Sequence, residues 1–129
     1  MSAVKPILGI IGGGQLGSML ASAAKKINIK TVVISDDETA PAKNFCDKFI
    51  YAKYDDENKI DEFIQTSNIV TFEFENIPYE TLKKISQKKP VFPDPSINKI
   101  VQNRYTEKNF INEIGIKTTK FILIKKKED

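Results

Sequence analysis

Short hydrophobic runs alternate along the chain with segments in which hydrophobic residues recur every three or four positions. The runs predict buried strands, and the recurring positions predict amphipathic helices. The predicted strands are 7–11, 30–35, 48–52, 69–74, 91–92 and 120–124, and the predicted helices are 16–27, 42–46, 58–66, 79–87, a helix capped by Ser96, and 105–113. This alternation is typical of a mostly parallel sheet with helices on both faces, so we expect an α/β fold.

The first predicted helix follows from the spacing of its apolar residues. Its apolar residues at helical spacing are Leu16, Met19, Leu20, Ala23 and Ile27. Residues that recur at this spacing share one face of a helix. This spacing predicts the helix over 16–27.

Prolines divide the chain near its last third. The stretch 90–95 contains three of them, and it is the best candidate for a domain boundary. We expect one domain over 1–95, and over 96–129 two linking helices and the first strand of a second domain. Because the predicted strand 120–124 has no successor, it resembles the opening of a domain whose remainder is absent.

Composition narrows the function classes. The chain has 129 residues, 40% of them hydrophobic and 29% charged, as in a soluble globular domain. We find no apolar run long enough to span a membrane and no secretory signal, so we expect a cytoplasmic protein without a membrane partner. The net charge of +3 is modest and comes mostly from scattered lysines. The short lysine run 125–127 has no aromatic residues interleaved with it and is followed at once by two acids, which argues against a nucleic-acid partner.

Cysteine and histidine usage excludes several kinds of site. Cys46 is the only cysteine and there is no histidine. An intrachain disulfide, a Cys/His zinc site and an imidazole base are therefore all excluded. We expect Cys46 to be a small buried hydrophobic residue without chemistry.

A glycine-rich turn follows the first predicted strand. Gly12, Gly14 and Gly17 have the G-x-G-x-x-G spacing, and the helix after them would offer free N–H groups to an anion. The turn predicts a site for a phosphate or a nucleotide-like ligand, to which Gln15 and Leu16 at the helix start would contribute. The alternative is a tight structural turn with Gln15 merely exposed.

Two acidic residues end the second predicted strand. Asp36 and Asp37 lie about twenty residues after the glycines, where a dinucleotide-binding domain keeps an acid for the ribose. Aspartates are also common in turns, so both interpretations stay open.

The end of the fourth predicted strand carries two more acids. If the strand persists, Glu73 and Glu75 share one face and Phe72 and Phe74 the other. Paired carboxylates there could accept hydrogen bonds from an amine or hydroxyl, which would place a ligand's phosphate at the glycines and its nitrogen at Glu73. The alternative is an exposed edge with two solvated acids.

Three motifs together point to a family. The segments GGGQLG at 12–17, TFEFENIP at 71–78 and QNRYTEK at 102–108 resemble the N-terminal part of 5-(carboxyamino)imidazole ribonucleotide synthase, an ATP-grasp enzyme of purine biosynthesis. The resemblance implies a Rossmann-like pre-ATP-grasp domain followed by the start of an ATP-grasp domain. It also implies a ligase that uses ATP, Mg²⁺ and bicarbonate to carboxylate 5-aminoimidazole ribonucleotide.

The resemblance also implies roles for individual residues. Gln15, Leu16 and Glu73 match positions that contact the ribonucleotide, and Arg104 matches one that contacts ATP. The expected substrate-binding set is Gly14, Gln15, Leu16, Glu73, Glu75 and Asn76. In the family the metal ligands and the lysines that bind ATP lie in later domains, so we expect no catalytic residue and no metal ligand here, and no ligase activity from this chain alone. Members are commonly dimers, which implies a homodimer.

Three other functions stay open. One is a dinucleotide-binding module of an oxidoreductase, with Asp36 or Asp37 on the ribose of a nicotinamide cofactor. Another is the related formate-dependent glycinamide ribonucleotide transformylase, although Gln15 and the TFEFENIP segment favour the synthase. The third is a non-catalytic nucleotide-sensing domain.

Overall fold

The computed structural model describes residues 5–127 and contains five strands and five α-helices. The strands are β1 (Ile7–Ile11), β2 (Lys30–Ser35), β3 (Lys48–Tyr51), β4 (Ile69–Phe72) and β5 (Val91–Phe92). The helices are α1 (Gln15–Lys26), α2 (Glu57–Thr66), α3 (Tyr79–Ser86), α4 (Pro95–Val101) and α5 (Arg104–Glu113), with a short 3-10 helix at Pro41–Asn44. The expected α/β fold is confirmed.

The five strands form one parallel sheet in the order β3-β2-β1-β4-β5. After β1 the chain adds strands on one side and then returns to the other side with β4. The order therefore reverses between β1 and β4, with Ile11 opposite Phe72 at the end of the pair. In open parallel sheets ligands bind beyond the carboxyl ends of the strands at such a reversal.

Both faces of the sheet are covered by helices. The larger core lies under α2 and α3, where Phe63 and Leu82 pack against strand residues such as Val32 and Val70. The smaller core lies under α1 and the 3-10 helix and includes Ile10, Ala21, Val33 and Ala42, with Cys46 partly buried at its edge. A sheet covered on both faces explains why its strands are continuous hydrophobic runs.

Helix α1 packs against the sheet mainly through small residues. Its buried residues are Gly17, Ser18, Ala21 and Ala24. By contrast, Leu16 and Met19 are 58% and 60% exposed. Small side chains let the helix approach the sheet closely, and close packing here outweighs the hydrophobicity of the larger residues.

The ends of three helices are fixed by side chains. Asp56 caps α2 by accepting from the N–H of Lys59, and Asn103 caps α5. The cap of α4 is Asp94, whose carboxylate accepts from the N–H of Ser96. The expectation that Ser96 caps this helix was wrong, because Pro95 takes the first helical position, which suits a proline.

Two predicted strands differ in the structure. Strand β4 ends at Phe72 and not at residue 74, so Glu73 and Glu75 do not alternate along a strand. Segment 120–124 is not a strand, because no strand within residues 5–127 lies beside it to pair with its backbone. Instead the segment lies against α5, where the rings of Phe121 and Tyr105 meet edge to face at 6.0 Å.

Within residues 5–127, no helix combines the length and apolar character that a membrane span requires.

Candidate functional site

The reversal of strand order brings the glycine turn and Glu73 together. Gly12 follows β1 and Glu73 follows β4, and these strands are neighbours in the sheet. The Glu73 N–H donates to the carbonyl of Ile11, which extends the pairing by one step. The sequence motifs that lie sixty residues apart therefore form one site.

The glycines allow this close approach. Gly12 has φ of +105°, and a Cβ on it would lie 2.7 Å from Oε1 of Glu73. A Cβ on Gly17 would lie 2.3 Å from the carbonyl oxygen of Gly12, so α1 could not begin so close to the turn with any larger residue. At Gly14 a Cβ would be 3.6 Å from Oε1 of Glu73, an ordinary contact.

The Glu73 carboxyl has a pKa above its ordinary value of 4.5. Partial burial is the main cause, a backbone hydrogen bond from Gly14 opposes it, and the charge of Glu75 adds to the rise. A carboxylate that is partly removed from water gains more from an incoming donor than one that is fully solvated. Glu73 is thus suited to accept hydrogen bonds from a ligand.

A cleft of about 180 Å³ opens beside this carboxylate. It is lined by the glycine turn 12–14, by Ser35, Asp36 and Asp37 after β2, and by Ala40, Tyr54, Glu73 and Phe74. The glycine turn, the acids after β2 and Glu73 after β4 were predicted separately as candidate sites. In the structure they line one cleft. Its charged groups are all acidic.

Tyr54 is the residue of the cleft that sequence reasoning missed. It is buried, and burial beside Asp36 raises the pKa of its hydroxyl to about 12. Tyr54 lies three residues after β3, at the carboxyl end of a strand beside β2. Ligand sites in parallel sheets lie beyond the carboxyl ends of strands, which would have included Tyr54. The end of β3 carries no motif that points to a ligand, so the sequence offered no further signal there.

Asp37 is held in the turn after β2. Its carboxylate accepts from the N–H and the hydroxyl of Thr39 at 2.8 and 2.7 Å, and these bonds lower its pKa. This is the geometry of a turn-forming aspartate. Asp37 also faces the cleft, so the structure is compatible with both interpretations of this residue.

Other expected site residues lie next to the cleft and do not line it. Gln15 and Leu16 form the start of α1 with exposed side chains. Glu75 and Asn76 are exposed in the turn that follows Glu73. The expected separation of a phosphate at the glycines from an amine at Glu73 does not fit this geometry, because the carboxylate already lies against the glycine turn.

The segment 73–78 is tied to the helices that follow it. Gln102 donates through its side-chain amide to the carbonyls of Glu75 and Ile77, at 2.8 and 2.6 Å. The buried Asn98 donates to the same Ile77 carbonyl at 3.1 Å. Helix α4 and the residue after it thereby fix the loop that carries Glu73.

Arg104 begins α5, as expected, and its guanidinium pairs with Glu107 one turn later. Its side chain is 77% exposed. Within residues 5–127 no group of three or more acidic or cysteine side chains is arranged to hold a metal ion.

Residues 5–102 match the model of the ribonucleotide synthetase pre-ATP-grasp domain. The chain belongs to the ribonucleotide synthetase pre-ATP-grasp family. This family match ends at Gln102, the residue that ties down the segment 73–78.

Several relatives of this chain carry the name N5-carboxyaminoimidazole ribonucleotide synthase. N5-carboxyaminoimidazole ribonucleotide synthase of Brucella melitensis is 40% identical over 121 residues, which cover 94% of this chain and 33% of that protein. The chain thus spans about a third of the length of the curated relatives that it matches. The resemblance drawn from the three motifs is confirmed.

Solved structures of pre-ATP-grasp family members share the fold. The Staphylococcus aureus N5-carboxyaminoimidazole synthetase complexed with ADP matches with a TM-score of 0.89 and 37% identity, over 98% of this chain and 34% of that one. The Aspergillus clavatus synthase in complex with ADP and 5-aminoimidazole ribonucleotide matches with a TM-score of 0.77 and 25% identity, over 87% of this chain and 30% of that one.

Proposed function

We propose that this chain is the substrate-binding N-terminal part of an ATP- and bicarbonate-dependent ligase that carboxylates 5-aminoimidazole ribonucleotide in purine biosynthesis. The observation that supports this most is the position of the Glu73 carboxylate against the Gly12 and Gly14 turn, at the reversal of strand order. The relative from Aspergillus clavatus, solved with this ribonucleotide, supports the choice of substrate.

In this proposal the cleft binds the parts of the ribonucleotide that donate hydrogen bonds. Glu73 accepts from an amine or hydroxyl, and the acids of segment 35–37 make the cleft favour donors over anions. Gly14, Gln15, Leu16, Glu75 and Asn76 surround this cleft and contribute the remaining contacts. The phosphate of the ligand then lies outside the cleft, away from Glu73.

The chemistry itself is assigned to the rest of the protein. ATP and Mg²⁺ would supply phosphoryl activation of bicarbonate, and charge on the phosphoryl groups has to be neutralised by cations for such a step. In this chain Arg104 is the residue that we propose to contact ATP, which requires its guanidinium to leave Glu107. A homodimer, a cytoplasmic location and a domain boundary near residue 95 are further parts of the proposal and are based on the resemblance and the sequence.

The test is a calorimetric titration of the 129-residue chain with 5-aminoimidazole ribonucleotide and, separately, with NADH. We expect the ribonucleotide to bind and NADH not to bind. Glu73→Ala should weaken ribonucleotide binding by about tenfold or more, because a hydrogen bond to a charged group contributes roughly 1.5–3 kcal/mol.

Glu75→Ala is the matched control, since it removes the same charge from an exposed position two residues away. Its effect on affinity should be smaller than that of Glu73→Ala. Binding of NADH in place of the ribonucleotide would instead support the dinucleotide-binding alternative. Equal losses in the two variants would show that Glu73 has no special role.

A further inference from the structure

The glycine turn has the spacing of a dinucleotide site, but its phosphate position is taken. In dinucleotide-binding folds the second glycine lets the pyrophosphate approach the backbone beside the helix N-terminus. Here a Cβ on Gly12 would lie 2.7 Å, and one on Gly14 3.6 Å, from Oε1 of Glu73. The side chain of Glu73 therefore occupies the side of the turn that a pyrophosphate would have to approach.

We propose that Glu73 is a specificity-determining residue that excludes phosphate groups, and with them dinucleotides, from the glycine turn. Its carboxyl group fills the space against the turn. When ionised, this partly buried carboxylate repels an anion across a short distance. A hydroxyl or an amine meets neither obstacle, because it can donate a hydrogen bond to the same oxygen.

The other acids of the cleft do not make this distinction by themselves. An acid at the end of the second strand is the usual partner of a ribose in dinucleotide sites, so Asp36 and Asp37 fit a dinucleotide as well as a mononucleotide. The residue that departs from a dinucleotide site is Glu73, which enters from the neighbouring strand β4. The size of the cleft, about 180 Å³, also suits a small group better than a dinucleotide.

This inference goes beyond the proposed function, because it states what the site rejects. It depends on the geometry of the turn and holds whether or not the chain binds 5-aminoimidazole ribonucleotide. Its test therefore uses a different ligand, inorganic pyrophosphate, and its failure would leave the ribonucleotide titration unaffected.

The experiment compares pyrophosphate binding to the 129-residue chain and its variants by calorimetry. Glu73→Gln keeps the volume of the side chain and removes its charge, whereas Glu73→Ala removes both. We expect pyrophosphate to bind both variants more tightly than the original chain, by about tenfold for Glu73→Ala, because the anion no longer meets a like charge. The difference between the gains in affinity of Glu73→Ala and Glu73→Gln would measure the part of the exclusion that is due to side-chain volume.

Glu113→Gln serves as the control, since it makes the same change in net charge at an exposed position of α5, outside the cleft. Its affinity for pyrophosphate should stay within about twofold of the original chain, since an exposed charge is screened by water and salt. The inference is overturned if neither Glu73 variant gains affinity, or if Glu113→Gln gains as much. A thermal unfolding transition for each variant would check that it is folded. If Glu73→Ala does not fold, the conservative Glu73→Gln still provides the test.

Discussion

At the scale of single residues, the glycines and Glu73 define the site through contact. Gly12 and Gly17 were predicted from their spacing, and the structure shows the contacts that require them. The contact between Gly12 and Glu73 could not be predicted, because β4 ends at Phe72 and turns the next side chain toward the glycines. A pattern of alternating residues does not show where a strand stops.

Replacing glycine by alanine should cost much more stability at Gly12 than at Gly14. Gly12→Ala puts a side chain at φ of +105° and against Glu73, so we expect it to lower the free energy of unfolding by at least about 2 kcal/mol. Gly14→Ala is the control, because its φ of −67° suits alanine and the new Cβ has room. Its loss should stay below about 1 kcal/mol, as measured by urea unfolding.

The raised pKa of Glu73 predicts a pH dependence of stability. Since the folded-state pKa exceeds the ordinary value of 4.5, ionising this carboxyl costs stability as the pH rises through that range. Glu73→Gln should therefore have a higher Tm than the original chain at neutral pH, and the difference should shrink as the pH falls below about 4.5.

Glu62 offers a control of opposite sign. Its pKa is lowered by hydrogen bonds from Lys59 and Lys48, so its charged form stabilises the fold above that pKa. Glu62→Gln should lower the Tm at neutral pH, slightly because the pair is exposed, and the loss should vanish in acid. The same direction of change in both variants would contradict the account of Glu73.

At the scale of elements, hydrophobic pattern located most helices and strands but not their contacts. The spacing of apolar residues located α1 but not its buried face, because the small residues that allow close packing carry no hydrophobic signal. Segment 120–124 was predicted as a strand from its apolar residues alone, yet a strand also requires a neighbour. The start of α4 depended on which side chain caps the helix, and Asp94 takes that position in place of Ser96.

The tether between Gln102 and segment 73–78 gives a prediction at this scale. Gln102→Ala removes the hydrogen bonds to the carbonyls of Glu75 and Ile77. We expect faster hydrogen exchange of the amides in segment 73–78 and a loss of stability of about 1–2 kcal/mol. Gln87→Ala, at the exposed end of α3, is the matched control. If exchange in the segment were the same in both variants, Gln102 would not hold it in place.

At the scale of the whole molecule, the strand order creates the site. Which strands are neighbours depends on how all five pack, and no single stretch of sequence contains that information. Once β4 lies beside β1, the glycine turn and Glu73 must meet. The location in the cytoplasm and the homodimer remain predictions.

The fraction of its relatives' length that this chain covers gives a prediction about the activity of the isolated chain. Because it spans about a third of their length, we expect no ATP- and bicarbonate-dependent carboxylation by the purified chain. A coupled assay for ATP hydrolysis in the presence of 5-aminoimidazole ribonucleotide measures this. Steady turnover at enzyme-like rates would contradict it.

The central claim is that the glycine turn and Glu73 together form one ribonucleotide site. The most direct test is an NMR titration of the isotope-labelled chain with 5-aminoimidazole ribonucleotide, following every backbone amide. We predict that the largest shift changes fall in residues 12–16 and 73–76, and that Glu73→Ala greatly reduces them. Changes confined to other parts of the chain, or equal changes in the variant, would contradict the claim.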